Sequence, residues 1–140
     1  MGYKVSEMEI SDYDAVVALW EASEAIALSS IDSRECIQKF LEANMGLSFV
    51  ARTEEEVVGA VLCSQDGRLG YLSNLIIAPA YRRQGIGRQL VGRCMYALMG
   101  MGIHHCILLI FRETEPALQF WQNVESGGRV KLVQLAPREK

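Results

Sequence analysis

The stretch from Leu75 to Gly87, LIIAPAYRRQGIG, constrains the fold of this chain more than any other. An apolar, β-branched run ends at Pro79, and a basic turn then leads through Gly85 and Gly87 into an amphipathic segment. This order predicts a strand, a loop and the start of a helix. A helix N-terminus offers unpaired N–H groups and a partial positive charge, and glycine lets an anion approach the backbone closely. The junction therefore predicts a binding site for a phosphate-bearing cofactor. The side chains that add fixed positive charge beside it are Arg82, Arg83 and Arg88.

Length and composition predict one globular domain over residues 1–140. The chain has 140 residues, of which 50% are hydrophobic and 22% charged, and this is enough to bury one core. No linker, repeat or low-complexity tract divides it. No stretch approaches the roughly 20 apolar residues that span a bilayer, and the first ten residues lack the apolar core of a signal peptide.

The cysteines do not form a recognisable framework. Cys36, Cys63, Cys94 and Cys106 are scattered, without a C-x-x-C pair or a histidine at metal-ligand spacing. We therefore expect neither disulfides nor a metal site. This pattern is typical of a protein of the reducing cytoplasm.

The charge distribution is uneven. Residues 1–70 contain five Lys and Arg against thirteen Asp and Glu, whereas residues 71–140 contain nine against four. A basic second half suits an anionic cofactor, and an acidic first half suits a cationic acceptor, unless these charges are simply solvated faces. The basic half is interrupted by apolar segments and so does not favour nucleic acid as a partner. Because no stretch is long and apolar enough to span a bilayer, we expect no membrane partner either.

Hydrophobic periodicity and turn signals predict the element order βααβββαβαβ. The order predicts an α/β fold with a mixed, mostly antiparallel sheet flanked by helices on both faces. Ser11 is expected to cap the first helix, and the second helix to bury Cys36, Ile37, Phe40 and Leu41. In the third helix, Ile86, Leu90, Cys94 and Leu98 recur every four residues and predict a buried stripe. The predicted strands are Tyr3–Ile10, Leu47–Arg52, Val57–Ser64, Leu69–Ile77, His104–Phe111 and Val130–Leu135, and the later helices cover Gly85–Met101 and Glu115–Gln122.

The loop resembles the coenzyme A pyrophosphate loop of the GNAT superfamily of N-acetyltransferases. It matches R-x-x-G-x-G through Arg82, Gly85 and Gly87, after a strand that ends at a proline and before a helix. It lacks the P-loop and dinucleotide-binding patterns. The alternative is an ordinary glycine-rich turn with solvated arginines. The resemblance follows the element order along nearly the whole chain and implies the GNAT, or acyl-CoA N-acyltransferase, fold.

The resemblance also implies where acetyl-CoA binds. The strand before the loop and the next strand would splay apart, and the backbone of Leu75 and Ile77 would bind the pantetheine arm in the gap. A backbone N–H near Leu75 would polarise the thioester carbonyl. The implied cofactor-binding residues are Leu75, Ile76, Ile77, Arg82, Arg83, Gln84, Gly85, Ile86, Gly87, Arg88, Thr114, Ala117 and Trp121.

The chain departs from the family pattern at the catalytic base and acid. Tyr71 stands near the position where relatives hold a glutamate, and it is either a packed strand aromatic or part of the acceptor site. Proton removal through ordered water, lined by Ser73, Asn74 or Glu24, is a hypothesis. Thr114 and Trp121 replace the family's Asn and Tyr, while Ala117 matches. An indole donates a hydrogen bond but cannot protonate the leaving thiolate. The implied catalytic residues are therefore Leu75, Trp121 and Glu24.

The acceptor site is placed by resemblance at the end of the first helix. Trp20, Glu21 and Glu24 could form an aromatic and acidic mouth for a cation, and the alternative is a core tryptophan flanked by solvated carboxylates. His104 and His105 are expected to be packing or surface residues. The candidate substrate-binding residues are Trp20, Glu21, Glu24, Tyr71, Ser73 and Asn74.

These observations predict an N-acetyltransferase that moves an acetyl group from acetyl-CoA to a small amine or a protein amine by direct attack in a ternary complex. One alternative is a non-catalytic acyl-CoA-binding sensor or scaffold, which the missing glutamate and tyrosine favour. Another is a nucleotide-binding regulator. Exposed sheet edges leave a homodimer open.

Overall fold

The computed structural model describes residues 2–23, 26, 28–110 and 130–134, with residues 110 and 130–134 described as backbone. The predicted helix Glu115–Gln122 lies outside these residues. The chain begins with strand β1 and two helices that follow it. Their bounds are β1 Lys4–Glu7, α1 Tyr13–Glu21 and α2 Arg34–Ala43. Three adjacent strands come next, followed by a long helix and two further strands. Their bounds are β2 Phe49–Arg52, β3 Val57–Gln65, β4 Gly70–Ile77, α3 Ile86–Gly100, β5 Cys106–Ile110 and β6 Val130–Gln134.

The strands form one six-stranded sheet in the order β1-β2-β3-β4-β5-β6. The first three pairings are antiparallel, whereas β4 pairs with β5 and β5 with β6 in parallel. The predicted mixed, mostly antiparallel sheet is therefore confirmed. Antiparallel neighbours in sequence need only short turns, such as Asp66-Gly67 between β3 and β4, while the parallel step from β4 to β5 needs a crossover, which α3 supplies.

The sheet has a core on each face, as the pattern predicted. On one face α3 buries Ile86, Leu90, Cys94 and Leu98 against alternate residues of β2 and β3. On the other face α1 and α2 bury a second cluster that includes Val16, Trp20 and Ile37. The two clusters use opposite faces of the strands because successive side chains of a strand alternate.

Two local expectations are wrong. Ser11 does not cap α1, because a short 3₁₀ turn, Ile10–Asp12, comes first, and its cap is Glu9, whose backbone N–H donates to the Asp12 carboxylate at 2.9 Å. Cys36 does not face inward but is exposed near the start of α2. There its N–H donates to Oγ of the helix cap Ser33, which anchors this first turn at the surface.

The other three cysteines are buried as small apolar side chains. A hydrogen bond with Cys63 and burial raise the pKa of Cys94, and burial raises the pKa of Cys106 to about 12. A thiol with such a raised pKa stays protonated at neutral pH and is a poor nucleophile. Within the described ranges, no three His, Cys, Asp or Glu side chains are grouped so that they could hold a metal ion. No described helix is long and apolar enough to span a bilayer.

Candidate functional site

An opening lies beside the C-terminal half of β4. The parallel ladder joins only Gly70–Leu72 to Cys106–Leu108, although β4 continues to Ile77 and β5 continues beside β6 to Ile110. In the described part of the chain, residues 73–77 of β4 therefore pair with β3 on one side and with no strand on the other. A free strand edge of this kind can hydrogen-bond an extended ligand as an added strand would.

The backbone of Leu75 and Ile77 faces this opening. The N–H of Ala78 donates to the carbonyl of Val58 in β3 at 2.8 Å. Backbone groups alternate in direction along a strand, so Ile76 also faces β3 while Leu75 and Ile77 face the other way. Ile76 also packs its side chain into the core beside α1 and α2. The backbone and the side chain of Ile76 are thus both turned away from the opening, contrary to the expectation from the sequence, whereas the backbone of Leu75 and Ile77 faces it.

A β-bulge at Asn74 interrupts β4. Leu62 is opposite Ser73 and Ala60 is opposite Ile76, so two steps on β3 correspond to three on β4. Asn74 is the extra residue on β4, and its backbone has a left-handed conformation with φ 53°. A bulge reverses the alternation of side chains. Leu75 consequently packs on the α3 face together with Leu72, on the same side of the sheet as the loop that follows.

Asn74 is held from the opposite face of the sheet. Its side-chain Nδ2 donates to Asp32 Oδ1 at 3.1 Å, and its carbonyl accepts from Trp20 Nε1 at 3.3 Å. Trp20 has no exposed surface, so it cannot form the aromatic wall of a mouth for a cation. The alternative left open by the sequence, a core tryptophan, agrees with its burial. Glu21, next to it at the end of α1, is exposed.

The loop between β4 and α3 presents backbone donors that have no acceptor within the helix. A 3₁₀ turn, Pro79–Tyr81, leads to Arg83 and Gly85, which have left-handed φ values of 67° and 84°. The carbonyl of Gly85 accepts the first helical bond, from Gln89 at 3.1 Å. Glycine has no capping side chain, and no acidic residue lies in the first turn of α3. The first N–H groups of this helix, at Gly85, Ile86, Gly87 and Arg88, thus lack acceptors within it.

The surroundings of the loop fit a pyrophosphate group. A Cβ at Gly85 would meet nothing within 4 Å, so open space lies beside the donors. Arg82, Arg83, Gln84 and Arg88 are exposed around it. Arg82 also donates from Nε to the carbonyl of Ile77 at 3.1 Å, which ties the end of β4 to the loop. The loop combines a helix N-terminus, backbone donors and arginines, all of which favour a phosphate anion.

Tyr71 lies at the closed end of the opening and is not a base. Its Oη donates to Asp66 Oδ2 at 2.7 Å. This hydrogen bond raises the pKa of Tyr71 further above its ordinary value of 10.0. It also lowers the pKa of Asp66 from 3.8 to about 2, together with hydrogen bonds from the N–H groups of Leu69 and Arg68. Ser73, two residues further along β4, is half-buried at the start of its unpaired edge.

We expect Tyr71→Phe to raise the pKa of Asp66 toward its ordinary value. The variant removes the hydrogen bond from Tyr71, which lowers this pKa most, and leaves the two backbone donors to the Asp66 carboxylate in place. A carboxyl group whose pKa is lower in the folded than in the unfolded chain stabilises the fold at pH values above its unfolded pKa. This stabilisation is lost as the pH falls from about 4 to about 2. Unfolding of the variant should therefore depend less on pH in this acidic range. Carboxyl ¹³C NMR titration measures the pKa, with Arg68→Gln as a control expected to change it less. An unchanged pKa in Tyr71→Phe would contradict this assignment.

Several expected site residues lie outside the described residues, namely Glu24, Thr114, Ala117 and Trp121. Conversely, Asp32 is not among the site residues that the sequence predicted, although a local signal exists. Ser29 and Asp32 have the spacing of a capping box, and the structure has that box, with the N–H of Ser29 donating to Asp32 Oδ2 at 3.0 Å. The contact between Asp32 and Asn74 has no such local signal.

The chain is similar in sequence and in fold to known proteins. Residues 13–124 match the family model of the acetyltransferase (GNAT) family. An acetyltransferase of Photorhabdus laumondii is 25% identical over 118 residues, which are 84% of this chain and 82% of that protein. Human N-alpha-acetyltransferase 30 is 34% identical over 83 residues, which are 56% of this chain and 23% of that longer protein. The structure of an N-acetyltransferase from Thermoplasma acidophilum in complex with coenzyme A superposes with a TM-score of 0.73, at 18% identity and covering 89% of both chains. At that identity, the structural likeness shows the shared fold.

Proposed function

Because this chain belongs to the GNAT family of acetyltransferases, we propose that it transfers an acetyl group from acetyl-CoA to an amine by direct attack in a ternary complex, and that it does so in the cytoplasm. The observation that carries the proposal is the unpaired edge of β4 next to the uncapped N-terminus of α3. An unpaired strand edge and unpaired helix donors thus lie in consecutive segments of the chain, β4 and the loop that follows it. The solved complex of a structural neighbour with coenzyme A supports this use of the two segments.

In this proposal the chain binds coenzyme A mainly through its backbone. The N–H groups at the start of α3 and the arginines around them would hold the pyrophosphate, and the edge of β4 at Leu75 and Ile77 would hold the pantetheine arm. Acetyl-CoA supplies the activated acyl group as a thioester. Thr114, Ala117 and Trp121 would complete the cofactor site, with the indole N–H of Trp121 stabilising the leaving thiolate.

The Leu75 N–H would act where negative charge develops during attack. It faces the opening, and it would donate to the thioester oxygen. A fixed donor of this type lowers a reaction barrier by about 3–4 kcal/mol. Because the donor is a main-chain group, the bulge at Asn74 rather than a side chain decides where it points.

The acceptor that best fits the described residues is the α-amino group of a peptide or protein. A lysine amine with a pKa near 10.4 is almost entirely protonated at neutral pH, whereas about one in ten α-amino groups with a pKa near 8 is already neutral. Tyr71 cannot serve as a base, so the acceptor that needs less help is favoured. Proton removal through water near Ser73 and Glu24 would assist. Likeness to human N-alpha-acetyltransferase 30 supports the same class of acceptor.

The test is thiol release from acetyl-CoA with a panel of amines. We expect turnover with peptides that have a free N-terminus. We expect little turnover with the same peptides blocked at the N-terminus but carrying a free lysine, or with small polyamines. Mass spectrometry should locate one acetyl group on the α-amine. Turnover of the blocked peptides or the polyamines alone would contradict the acceptor class, and binding of acetyl-CoA without turnover of any amine would contradict the transferase proposal.

A further inference from the structure

A buried polar pair connects the segment before α2 to the bulge of β4. Asn74 and Asp32, 42 positions apart, are both at least nine-tenths buried. One oxygen of the Asp32 carboxylate accepts from Asn74 Nδ2, and the other accepts from the N–H of Ser29. The carbonyl of Asp32 accepts from Tyr13 Oη in α1 at 2.7 Å. Asp32 is therefore fixed by three elements of the fold, and it presents a rigid, charged acceptor to Asn74.

The peptide plane between Asn74 and Leu75 is fixed from the same side. Its carbonyl accepts from the buried indole N–H of Trp20. The described chain contains no cis peptide bond, and in a trans peptide the N–H points opposite to the carbonyl. The bond from Trp20 therefore fixes the orientation of this peptide plane and, with it, the direction of the Leu75 N–H, which points away from Trp20.

We propose that Asp32 and Trp20 are positioning residues that act through Asn74 to aim the Leu75 N–H, and this rests on the proposed function, in which that N–H polarises the thioester. A left-handed backbone is unfavourable for a residue with a Cβ. It persists only where the surroundings hold it in place, and such strained positions cluster at functional sites. The side chain and the carbonyl of Asn74 are both held, so its surroundings meet this condition.

The proposal also joins the two halves of the site. Trp20 and Tyr13 belong to α1, and Asp32 precedes α2, so the elements expected to admit the acceptor hold the strand expected to bind the cofactor. Movement of these elements on acceptor binding would be transmitted to the Leu75 N–H through Asn74.

An exchange of the two side chains tests the pair. Asp32→Asn alone replaces one carboxylate oxygen with an NH2 group. That group must then face either the N–H of Ser29 or the NH2 group of Asn74, so a donor meets a donor. Asn74→Asp alone places one carboxylate against another. In the double variant, the new amide at position 32 can accept from the N–H of Ser29 and donate to the new carboxylate at position 74. Asn and Asp both tolerate the left-handed conformation, so the exchange leaves the backbone requirement unchanged.

We expect each single variant to lower kcat about 10- to 100-fold, less than the complete loss of an oxyanion donor. The KM for acetyl-CoA should change less than about 2-fold, because the loop that begins at Arg82 is untouched. The double variant should return kcat to within about 3-fold of the wild type. A double variant as slow as the singles, or singles with unchanged kcat, would overturn the proposal.

Asp12→Asn is the matched control for a general loosening of the fold. Asp12 has the same position in another 3₁₀ capping box and is similarly buried, but its carboxylate pairs with Arg52 at 3.0 Å and does not contact β4. We expect Asp12→Asn to lower thermal stability with kcat unchanged. An equal loss of kcat in Asp12→Asn and Asp32→Asn would show a structural effect and overturn the positioning role.

Amide NMR separates this proposal from the proposed function. Acetyl-CoA should shift the Leu75 N–H resonance, and coenzyme A, which lacks the acyl carbonyl, should shift it less. This difference should vanish in each single variant and return in the double variant. That outcome would support the positioning role of the Asp32–Asn74 pair even if the protein acetylates none of the amines tested. The same difference in all four proteins would overturn the pair even if the wild type is an active acetyltransferase.

Discussion

Gly85→Glu should abolish useful binding of acetyl-CoA, raising its Kd at least about 100-fold, which corresponds to about 2.7 kcal/mol. The substitution places a carboxylate among the N–H donors that would hold the pyrophosphate, so that like charges meet. It also puts a side chain at a position with φ 84°, where only glycine is free of strain. Isothermal titration with acetyl-CoA, coenzyme A and ATP measures the effect. In the wild type, a ligand at 100 times its Kd should raise the unfolding free energy by about 2.7 kcal/mol, and this gain should disappear in the variant.

The matched control is Gly102→Glu, at the other end of the same helix. Gly102 has φ 81°, and a Cβ there would also meet nothing within 4 Å, so the backbone cost is the same. A glutamate beyond a helix C-terminus faces the negative end of the dipole and gains nothing from it. We expect this variant to lose some stability and to bind acetyl-CoA normally. If Gly85→Glu binds as tightly as Gly102→Glu, the loop is not the pyrophosphate site. Stronger stabilisation of the wild type by ATP than by coenzyme A would favour a nucleotide instead.

Gly70→Ala should lower the unfolding free energy by about 2–3 kcal/mol, because it overpacks the junction of α3 with the sheet. A Cβ at Gly70 would collide with Cδ1 of Leu98 and lie 3.1 Å from its Cδ2. Leu98 has no exposed surface, so its side chain can move away only by displacing the core residues packed around it. Gly70 begins the ladder of β4 with β5, and its N–H donates to the carbonyl of His105 at 3.0 Å. The missing side chain therefore lets α3 lie on the sheet where the opening closes.

Urea unfolding of a double-mutant cycle tests this prediction. Leu98→Ala alone should cost about 3–4 kcal/mol through the cavity it leaves. The double variant should be more stable than the sum of the single effects implies, by at least about 1 kcal/mol, since the added methyl group fills part of that cavity. Gly92→Ala is the control within α3. Its Cβ would meet nothing within 4 Å, and alanine should stabilise this helix by about 0.5–1 kcal/mol. Strict additivity at Gly70 and Leu98 would contradict the packing argument.

Sequence patterns predicted the parts of this protein that depend on neighbouring residues. The four-residue repeat of Ile86, Leu90, Cys94 and Leu98 predicted the buried stripe of α3, and all four are buried. The turn Asp66-Gly67 between β3 and β4 has the same local origin. The loop at Gly85 could be recognised because its glycine spacing, its proline and its arginines lie within one short segment. From that segment the family followed, and the comparisons confirm it.

Sequence patterns could not predict a side chain's environment where one local pattern is compatible with two structures. The pattern at Trp20 and Glu21 is compatible with an acceptor site and also with a core tryptophan beside a solvated carboxylate. Only the packing of α1 against β3 and β4 decides that the indole is buried. Cys36 has a helical position next to apolar Ile37, yet only Ile37 is buried, because the hydrophobic face of α2 is narrower than its sequence pattern predicts.

The sequence alone thus determined the order of the described elements, the glycine-rich loop before α3 and the family, because periodicity, capping and glycine spacing act over a few residues. Tertiary structure alone decided how β4 presents its backbone. Asn74, at the bulge, is hydrogen-bonded to Trp20 and Asp32, which are 54 and 42 residues away along the chain. A regular strand would place Leu72 and Asn74 on one face, and an asparagine within a strand pattern does not by itself specify an extra residue. Contacts made only on folding hold the peptide between Asn74 and Leu75, because asparagine tolerates a left-handed conformation but does not require one.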